Sequence, residues 1–257
     1  MILEAAQYKD NTFATLTYAP EMLPEDLCVW PRELQLFMKK LRKTHNAVIR
    51  FFGVGEYGEI SGLPHYHLAL FNYPNCFNTI TRKSKYCCPM CDTVSKAWGK
   101  GHIQLGTLEP NSMAYVAGYI NKKMTRKDDP RLEGRSPEFS RMSLRPGIGY
   151  GMMHDLASTL MRYGLDKKLI DVPNVLQHGM KQYPLGRYLR RSLRKMLGRH
   201  PNTPQEVMDE IKTEMQPMRE AAFNASTPLK ASVLSASLGR RIQIAQWAKR
   251  KKKVHVI

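Results

Sequence analysis

The chain has 257 residues, which suits one large domain or a catalytic domain with a smaller extension. Hydrophobic residues make up 42% of it, enough to form a core, so the composition excludes a wholly disordered chain. Lysine and arginine number 40 against 22 acidic residues, a net charge of +18 that favours a polyanionic partner. Nucleic acid is the first candidate, and an anionic membrane surface or ribosomal RNA are the alternatives.

Several classes of protein are disfavoured by what the sequence lacks. No secretion signal is recognisable, and there is no apolar stretch of the roughly 18 residues that a membrane span requires. The absence of a GxxxxGKS/T pattern excludes a P-loop ATPase or helicase. The five cysteines are expected to be reduced thiols or metal ligands in a cytoplasmic protein.

Strand and helix patterns alternate along the first half of the chain. Strand-like alternation occurs in four segments, residues 13–18, 47–57, 65–71 and 102–109. Helical patterns occur in three, residues 31–45, a short segment ending at Trp98, and residues 111–124, which Asn111 or Ser112 would cap. The turn-rich segment between the second and third strands predicts a hairpin. The order β-α-β-β-α-β-α predicts an α+β fold, an antiparallel sheet with helices on one face.

The sequence pattern changes at about residue 150. We therefore divide the chain into a first domain, 1–150, with a cysteine-bearing insertion at about 74–91, and a mostly helical basic extension, 151–257. Helices are predicted in the extension at residues 151–164, 183–197, 204–223 and 230–252. Its basic clusters are expected to hold DNA phosphates, unless they are only a solvated face or, in the tail, disordered. These clusters comprise Arg187, Arg190, Arg191, Arg194, Lys195, Arg199 and Lys249 to Lys253.

Two histidines on the third predicted strand are candidate metal ligands. His65 and His67 are two residues apart, so on a strand they point to the same face. Glu56 lies nine residues upstream, across the predicted hairpin, and Glu59 in the turn is the alternative carboxylate. Two imidazoles and one carboxylate form an open site for Mg²⁺ or Mn²⁺. The alternative is a pair of surface histidines on a strand.

Two tyrosines on the last predicted helix of the first domain are candidate nucleophiles. Tyr115 and Tyr119 are four residues apart and share a face, which Lys123 continues, with Lys122 adjacent. A nearby cation and a metal-polarised phosphate would make attack feasible for a group whose pKa is about 10. The alternative is an amphipathic helix whose tyrosines cover the sheet. Gly118 costs about 1 kcal/mol of helix stability relative to alanine, so we expect a close approach there.

Four cysteines cluster within the insertion. Cys88 and Cys91 form a CxxC pattern, which is a common zinc-knuckle spacing, and Cys76 and Cys87 are nearby. Adjacent Cys87 and Cys88 cannot easily bind one tetrahedral ion. A structural zinc would therefore use Cys76, Cys88 and Cys91, with Cys87 or a histidine such as His102 as the fourth ligand. Unliganded thiols and a redox role are the alternatives.

Three segments in this order and spacing resemble the three motifs of HUH rolling-circle replication initiators; they are FATLTY, VGEYGEISGLPHYHLALF and AYVAGYINKKM. The chain looks most like replication initiation proteins of microviruses, the small single-stranded DNA phages, especially the gokushovirus-like branch. The resemblance covers about residues 12–150 and includes the block EFSRMSLRPGIG. Members of that family usually carry a longer segment before the first strand. The short segment here is expected of a truncated frame or a divergent prophage copy.

The resemblance implies an HUH endonuclease fold and a role for each matching residue. His65 and His67 would bind the metal, Tyr115 and Tyr119 would alternate as nucleophiles, and Lys123 or Lys122 would be the lysine that follows them. The implied reaction joins a tyrosine to the 5′ phosphate of single-stranded DNA and leaves a 3′ hydroxyl to prime synthesis. The second tyrosine would later attack the regenerated junction, and the circle would be rejoined without ATP.

Single-stranded or supercoiled origin DNA is the expected partner in a bacterial host cytoplasm, followed by the host helicase and polymerase, and no membrane is involved. One rival interpretation is a basic nucleic-acid-binding protein without catalysis, which explains the charge but not the paired tyrosines and histidines. The other rival is an HUH transposase, which uses a single tyrosine. Mutating each tyrosine separately and then both together separates the three interpretations.

Overall fold

The computed structural model describes residues 1–45, 47–76, 88–118 and 128–224, and residue 226. The chain divides into two compact units, one of residues 1–162 and one that begins at Tyr163. The first unit therefore extends past residue 150, where the sequence pattern changes, and includes the helix that follows.

An antiparallel sheet of five strands forms the framework of the first unit. The strands are β1 (Asn11–Thr17), β2 (Arg50–Tyr57), β3 (Pro64–Phe71), β4 (Ile103–Thr107) and β5 (Phe139–Met142). Their spatial order is β4-β1-β3-β2-β5, and every neighbouring pair is antiparallel. The first four strands and the β2–β3 hairpin confirm the sequence predictions. The fifth strand is an edge strand without buried positions, so no apolar alternation marked it.

Five helices of the first unit lie in the described residues. They are α1 (Ile2–Ala5), α2 (Pro31–Thr44), α3 (Pro89–Trp98), α4 (Pro110–Gly118) and α5 (Met152–Arg162). The predictions for α2, α3 and α5 are confirmed, and so is the part of α4 up to Gly118. Because α4 begins at Pro110, neither Asn111 nor Ser112 is its N-cap. The Ser112 hydroxyl instead accepts a hydrogen bond from the Glu109 amide at 2.7 Å.

Helices pack on both faces of the sheet, which corrects the prediction of one covered face. Side chains of α2 and α3 pack with Leu68 and Leu70 on one side of β3. On the other side, Ala69 and Phe71 form a second cluster with α4, and residues of α1 pack against it. Successive strand residues point to opposite faces, so the two clusters lie on opposite sides of the sheet. Helical periodicity reports that a helix has a buried stripe, but it does not report which sheet face that stripe covers.

The second unit combines helices with a small hairpin. Its elements are α6 (Leu165–Lys168), β6 (Val175–His178), β7 (Lys181–Pro184), α7 (Arg187–Met196) and α8 (Gln205–Asn224). The helix predicted at 183–197 begins only at Arg187, because the residues before it pair with β6. Gly179 adopts a φ of +58° in the hairpin turn, a conformation that favours glycine. The prediction for 204–223 is confirmed, and that for 230–252 lies outside the described residues.

None of the helices in the described ranges combines the length and the apolar character that crossing a membrane would require.

Candidate active site and metal centre

Two adjacent strands bring the three predicted metal ligands together. In the antiparallel register Glu56 of β2 stands directly opposite His65 of β3. His67 follows two residues later, so its side chain shares that face. This is the face that α4 covers, since Ala69 continues the same row and packs in the cluster of α4. The predicted sharing of one face by the two imidazoles is confirmed.

The ligand atoms of these three side chains converge on one point. The Nε2 atoms of His65 and His67 lie 3.0 Å and 2.9 Å from Oε1 of Glu56. A six-coordinate Mg²⁺ or Mn²⁺ with bonds of about 2.1 Å places adjacent ligand atoms about 3 Å apart, so these spacings suit such an ion. Glu59 lies in the exposed turn after β2 and is not part of the group. Glu56 is therefore the carboxylate that the fold brings to the histidines.

The hydrogen bond on the far side of His65 decides what its Nε2 atom can do. Nδ1 of His65 lies 3.2 Å from the Leu63 carbonyl oxygen, which can only accept, so Nδ1 carries a proton. In a neutral imidazole Nε2 then presents a lone pair to the Glu56 carboxylate, which is also an acceptor. Two acceptors at 3.0 Å are stable only with a cation or a further proton between them. The arrangement thus has the chemistry of a cation site.

Thr15 and Phe13 of β1 support His67, and sequence reasoning did not single them out. The Thr15 hydroxyl lies 2.9 Å from Nδ1 of His67, and the Phe13 ring stacks on the imidazole at 5.5 Å between centroids. Outer hydrogen bonds of this kind fix which ring nitrogen faces a metal. The strand register pairs Thr15 with His67, so aligning FATLTY against HYHLALF would have found the contact.

Tyr115 lies beside the same cluster. Its ring meets the His67 ring edge-to-face at 5.6 Å between centroids, while Met113 and Val116 anchor α4 in the core. Nearly half of the tyrosine, 46%, is exposed, so the residue is accessible to a large substrate.

Burial, followed by the negative charges of Glu56 and Glu59, raises the pKa of Tyr115 above its ordinary value. The hydroxyl is therefore protonated at physiological pH. A positive charge held by Glu56 would oppose the second of these effects and favour loss of the proton. The electrostatics of the tyrosine are in this way tied to occupation of the neighbouring site.

The remaining residues predicted on this helix lie outside the described part of the chain. Tyr119, Lys122 and Lys123 fall in residues 119–127, so their assignments stay predictions. The close approach expected at Gly118 is not found among the described atoms, because a Cβ there would meet none of them within 4 Å.

Two of the arginines predicted to bind DNA have another role in the second unit. Arg194 is 3% exposed and grips Asp171 with two nitrogens at 2.7 Å and 2.6 Å, while Arg190 adds a third bond at 2.8 Å. Burial alone would raise the pKa of Asp171, but the hydrogen bonds, led by that of Arg194, hold it at about 2. Arg199 likewise donates to backbone carbonyls, including that of Leu169. Arg194 and Arg190 are therefore structural ion-pair residues.

Three basic side chains of α7 remain exposed. Arg187, Arg191 and Lys195 are four residues apart and so form one stripe along the helix. This stripe is the part of the predicted cluster that has the accessibility a phosphate contact requires. The Lys249 to Lys253 run lies outside the described residues.

The cysteines of the insertion partly converge. Cys76, Cys88 and Cys91 form a buried group of thiols. Cys87 lies outside the described residues, and His102 is exposed and does not belong to the group.

Comparison with known proteins places this geometry in a family. Residues 11–124 match the family model of the ORF2-type replication-associated protein. This part of the chain belongs to that family. The matched region contains the first four strands of the sheet and α4, and with them Glu56, His65, His67 and Tyr115.

Three phage proteins are similar to the chain. It is 31% identical over 198 residues to "Replication-associated protein ORF2" of Spiroplasma virus 4, covering 73% of this chain and 59% of that one. It is 30% identical over 140 residues to "Replication-associated protein VP4" of Bdellovibrio phage phiMH2K, covering 49% and 43%. It is 24% identical over 134 residues to "Replication-associated protein ORF4" of Chlamydia phage 1, covering 47% and 33%. The chain thus spans well under two thirds of each relative, and no solved structure matches it.

Proposed function

We propose that this chain initiates phage DNA replication by nicking single-stranded origin DNA and later rejoining it, as an HUH endonuclease. The relatives are phage replication-associated proteins, and the net charge of +18 suits a DNA partner. The observation that carries the proposal is the cation site of Glu56, His65 and His67 directly beside the accessible Tyr115. A nucleic-acid-binding protein without catalysis has no need of that combination.

The three side chains would hold Mg²⁺ or Mn²⁺ at the face of the sheet. A bound ion supplies Lewis-acid polarisation of the scissile phosphate. Glu56 contributes the negative charge of the site, and the Leu63 carbonyl and the Thr15 hydroxyl keep both imidazoles turned with Nε2 inward. Phe13 and the ring of Tyr115 cover His67.

Tyr115 would act as one nucleophile. Its oxygen forms a bond to phosphorus as the bond to the 3′ oxygen breaks, the phenolic proton is released, and the 3′ oxygen leaves as a hydroxyl after taking up a proton. The phosphotyrosine ester conserves the energy of the broken bond, so rejoining needs no ATP. Tyr119 stands four residues further on, about 6 Å along a helix axis, and would make the second attack. Lys123 or Lys122 would stabilise the developing negative charge.

The expected substrate is single-stranded or supercoiled origin DNA in the cytoplasm of a bacterial host, where the host helicase and polymerase would extend the free 3′ end. The exposed stripe of Arg187, Arg191 and Lys195 would contact its phosphates.

A nicking assay on single-stranded DNA of the phage or prophage that encodes the chain tests the proposal. The double variant His65→Ala/His67→Ala should lose Mn²⁺-dependent nicking but retain DNA binding, because binding rests on the basic surface. His102→Ala, an exposed histidine outside the group, is the matched control and should nick normally. Nicking by the double variant at the wild-type rate in EDTA would show that the site is wrongly assigned.

A further inference from the structure

Three buried cysteines meet where the insertion leaves and rejoins the sheet domain. Cys76 follows β3, while Cys88 and Cys91 stand at the start of α3. Each is between 6% and 8% exposed, and their sulfur atoms all lie within 4.8 Å of one another. The chain between Cys76 and Cys88 is thus closed at its base by sulfur atoms.

The spacing of the sulfur atoms suits a tetrahedral zinc ion. Bonds of about 2.3 Å from zinc to thiolate place two ligand sulfurs about 3.8 Å apart. Sγ of Cys76 and Sγ of Cys88 are separated by 3.8 Å. A disulfide would require about 2.0 Å, and these cysteines are present as thiols.

The surroundings favour thiolates and hold them in place. Cys88 is the N-cap residue of α3 and Cys91 lies in its first turn, where the helix dipole stabilises negative charge. The Cys76 amide donates to the Asn75 side chain at 2.8 Å, and the Tyr73 hydroxyl donates to the carbonyl between the two α3 ligands at 3.0 Å. Buried thiolates require a cation close by.

We propose that Cys76, Cys88 and Cys91 bind a structural zinc ion that fastens both ends of the insertion to the core. Binding releases one proton from each thiol to solvent. Structural zinc takes four ligands, and the described residues supply three. Cys87, outside the described residues, is the candidate for the fourth and is tested separately. The zinc ion would take no part in strand transfer, so this inference stands or falls apart from the proposed function.

The test measures metal content in a full-length chain whose other metal site has been removed. With His65→Ala/His67→Ala as the background, the protein purified under reducing conditions should contain about one zinc per chain. Adding Cys91→Ser should abolish that zinc. Adding Cys28→Ser should leave it unchanged, because Cys28 is also buried but contacts the Ser136 amide instead.

Cobalt substitution keeps the test decisive if a cysteine variant does not fold. Co²⁺ added to the zinc-stripped background protein should give thiolate-to-cobalt charge-transfer absorption, with an intensity that corresponds to at least three sulfur ligands. A larger intensity that falls by one ligand in Cys87→Ser would identify the fourth. Absence of bound zinc together with absence of that absorption would overturn the proposal and leave a cluster of packed thiols.

Discussion

Replacing Thr15 by valine removes one hydroxyl from the outer shell of the candidate metal centre. The Thr15 hydroxyl lies 2.9 Å from Nδ1 of His67. Valine has nearly the same shape and suits a strand, so the sheet should fold as before. The change is therefore directed at the orientation of one imidazole and the identity of its protonated nitrogen.

The expected magnitude follows from what outer-shell contacts contribute. Losing one such partner typically weakens metal affinity or activity by about 10- to 100-fold. We expect the dissociation constant for Mn²⁺ to rise by that factor in Thr15→Val. Thr15→Ser, which keeps the hydroxyl, should stay close to the wild type. Thr17→Val is a second control, because the Thr17 hydroxyl on the same strand lies 3.4 Å from the His102 carbonyl and not near the cluster.

Mn²⁺ binding is best measured by calorimetry or electron paramagnetic resonance on the protein without DNA, with the thermal midpoint recorded for each variant. The reasoning is refuted if Thr15→Val binds Mn²⁺ as tightly as the wild type while its folding is unchanged. It is refuted equally if Thr15→Ser loses as much affinity as Thr15→Val, since packing and not the hydroxyl would then be responsible.

Three further predictions concern the second unit. Asp171→Ala should destabilise it by about 3 kcal/mol because the buried Arg194 loses its partner, whereas Asp209→Ala, which breaks an exposed pair, should cost at most about 0.5 kcal/mol in chemical denaturation. Because the pKa of Asp171 in the folded chain is about 2, below its unfolded value, its ion pairs should stabilise fully above about pH 4 and lose that effect as the pH falls towards 2; an acid-unfolding curve that matches that of Asp171→Ala over this range would contradict it. Replacing Arg187, Arg191 and Lys195 by glutamine should lower the slope of log K for single-stranded DNA against log salt by up to about 2, at about 0.7 per phosphate, and an unchanged slope would remove the stripe from the DNA interface.

The metal centre could be predicted from the sequence because it depends on local rules. A spacing of two places His65 and His67 on one strand face, and a hairpin sets Glu56 opposite them. Thr15 was missed because its contact depends on the pairing of β1 with β3, which are far apart in the chain. The edge strand β5 was missed because an exposed edge carries no apolar pattern.

The basic helix shows where sequence reasoning stops. Arg191 and Arg194 are both arginines three residues apart, and charge alone does not distinguish them. Asp171, more than a full helix away in sequence, takes Arg194 into the interior and leaves Arg191 exposed. Burying an arginine is stable only with such a partner, so the position of the acid decides the role of each base.

Mapping the covalent protein–DNA adduct tests the central claim most directly. The chain is incubated with Mn²⁺ and single-stranded origin DNA, digested, and searched for a peptide that carries a 5′-phosphorylated nucleotide on tyrosine. We predict an adduct on Tyr119 in Tyr115→Phe, on Tyr115 in Tyr119→Phe, and none in the double variant. DNA on only one of the two tyrosines in every variant would favour the single-tyrosine transposase interpretation. DNA on neither, with intact binding and folding, would contradict tyrosine-dependent strand transfer altogether.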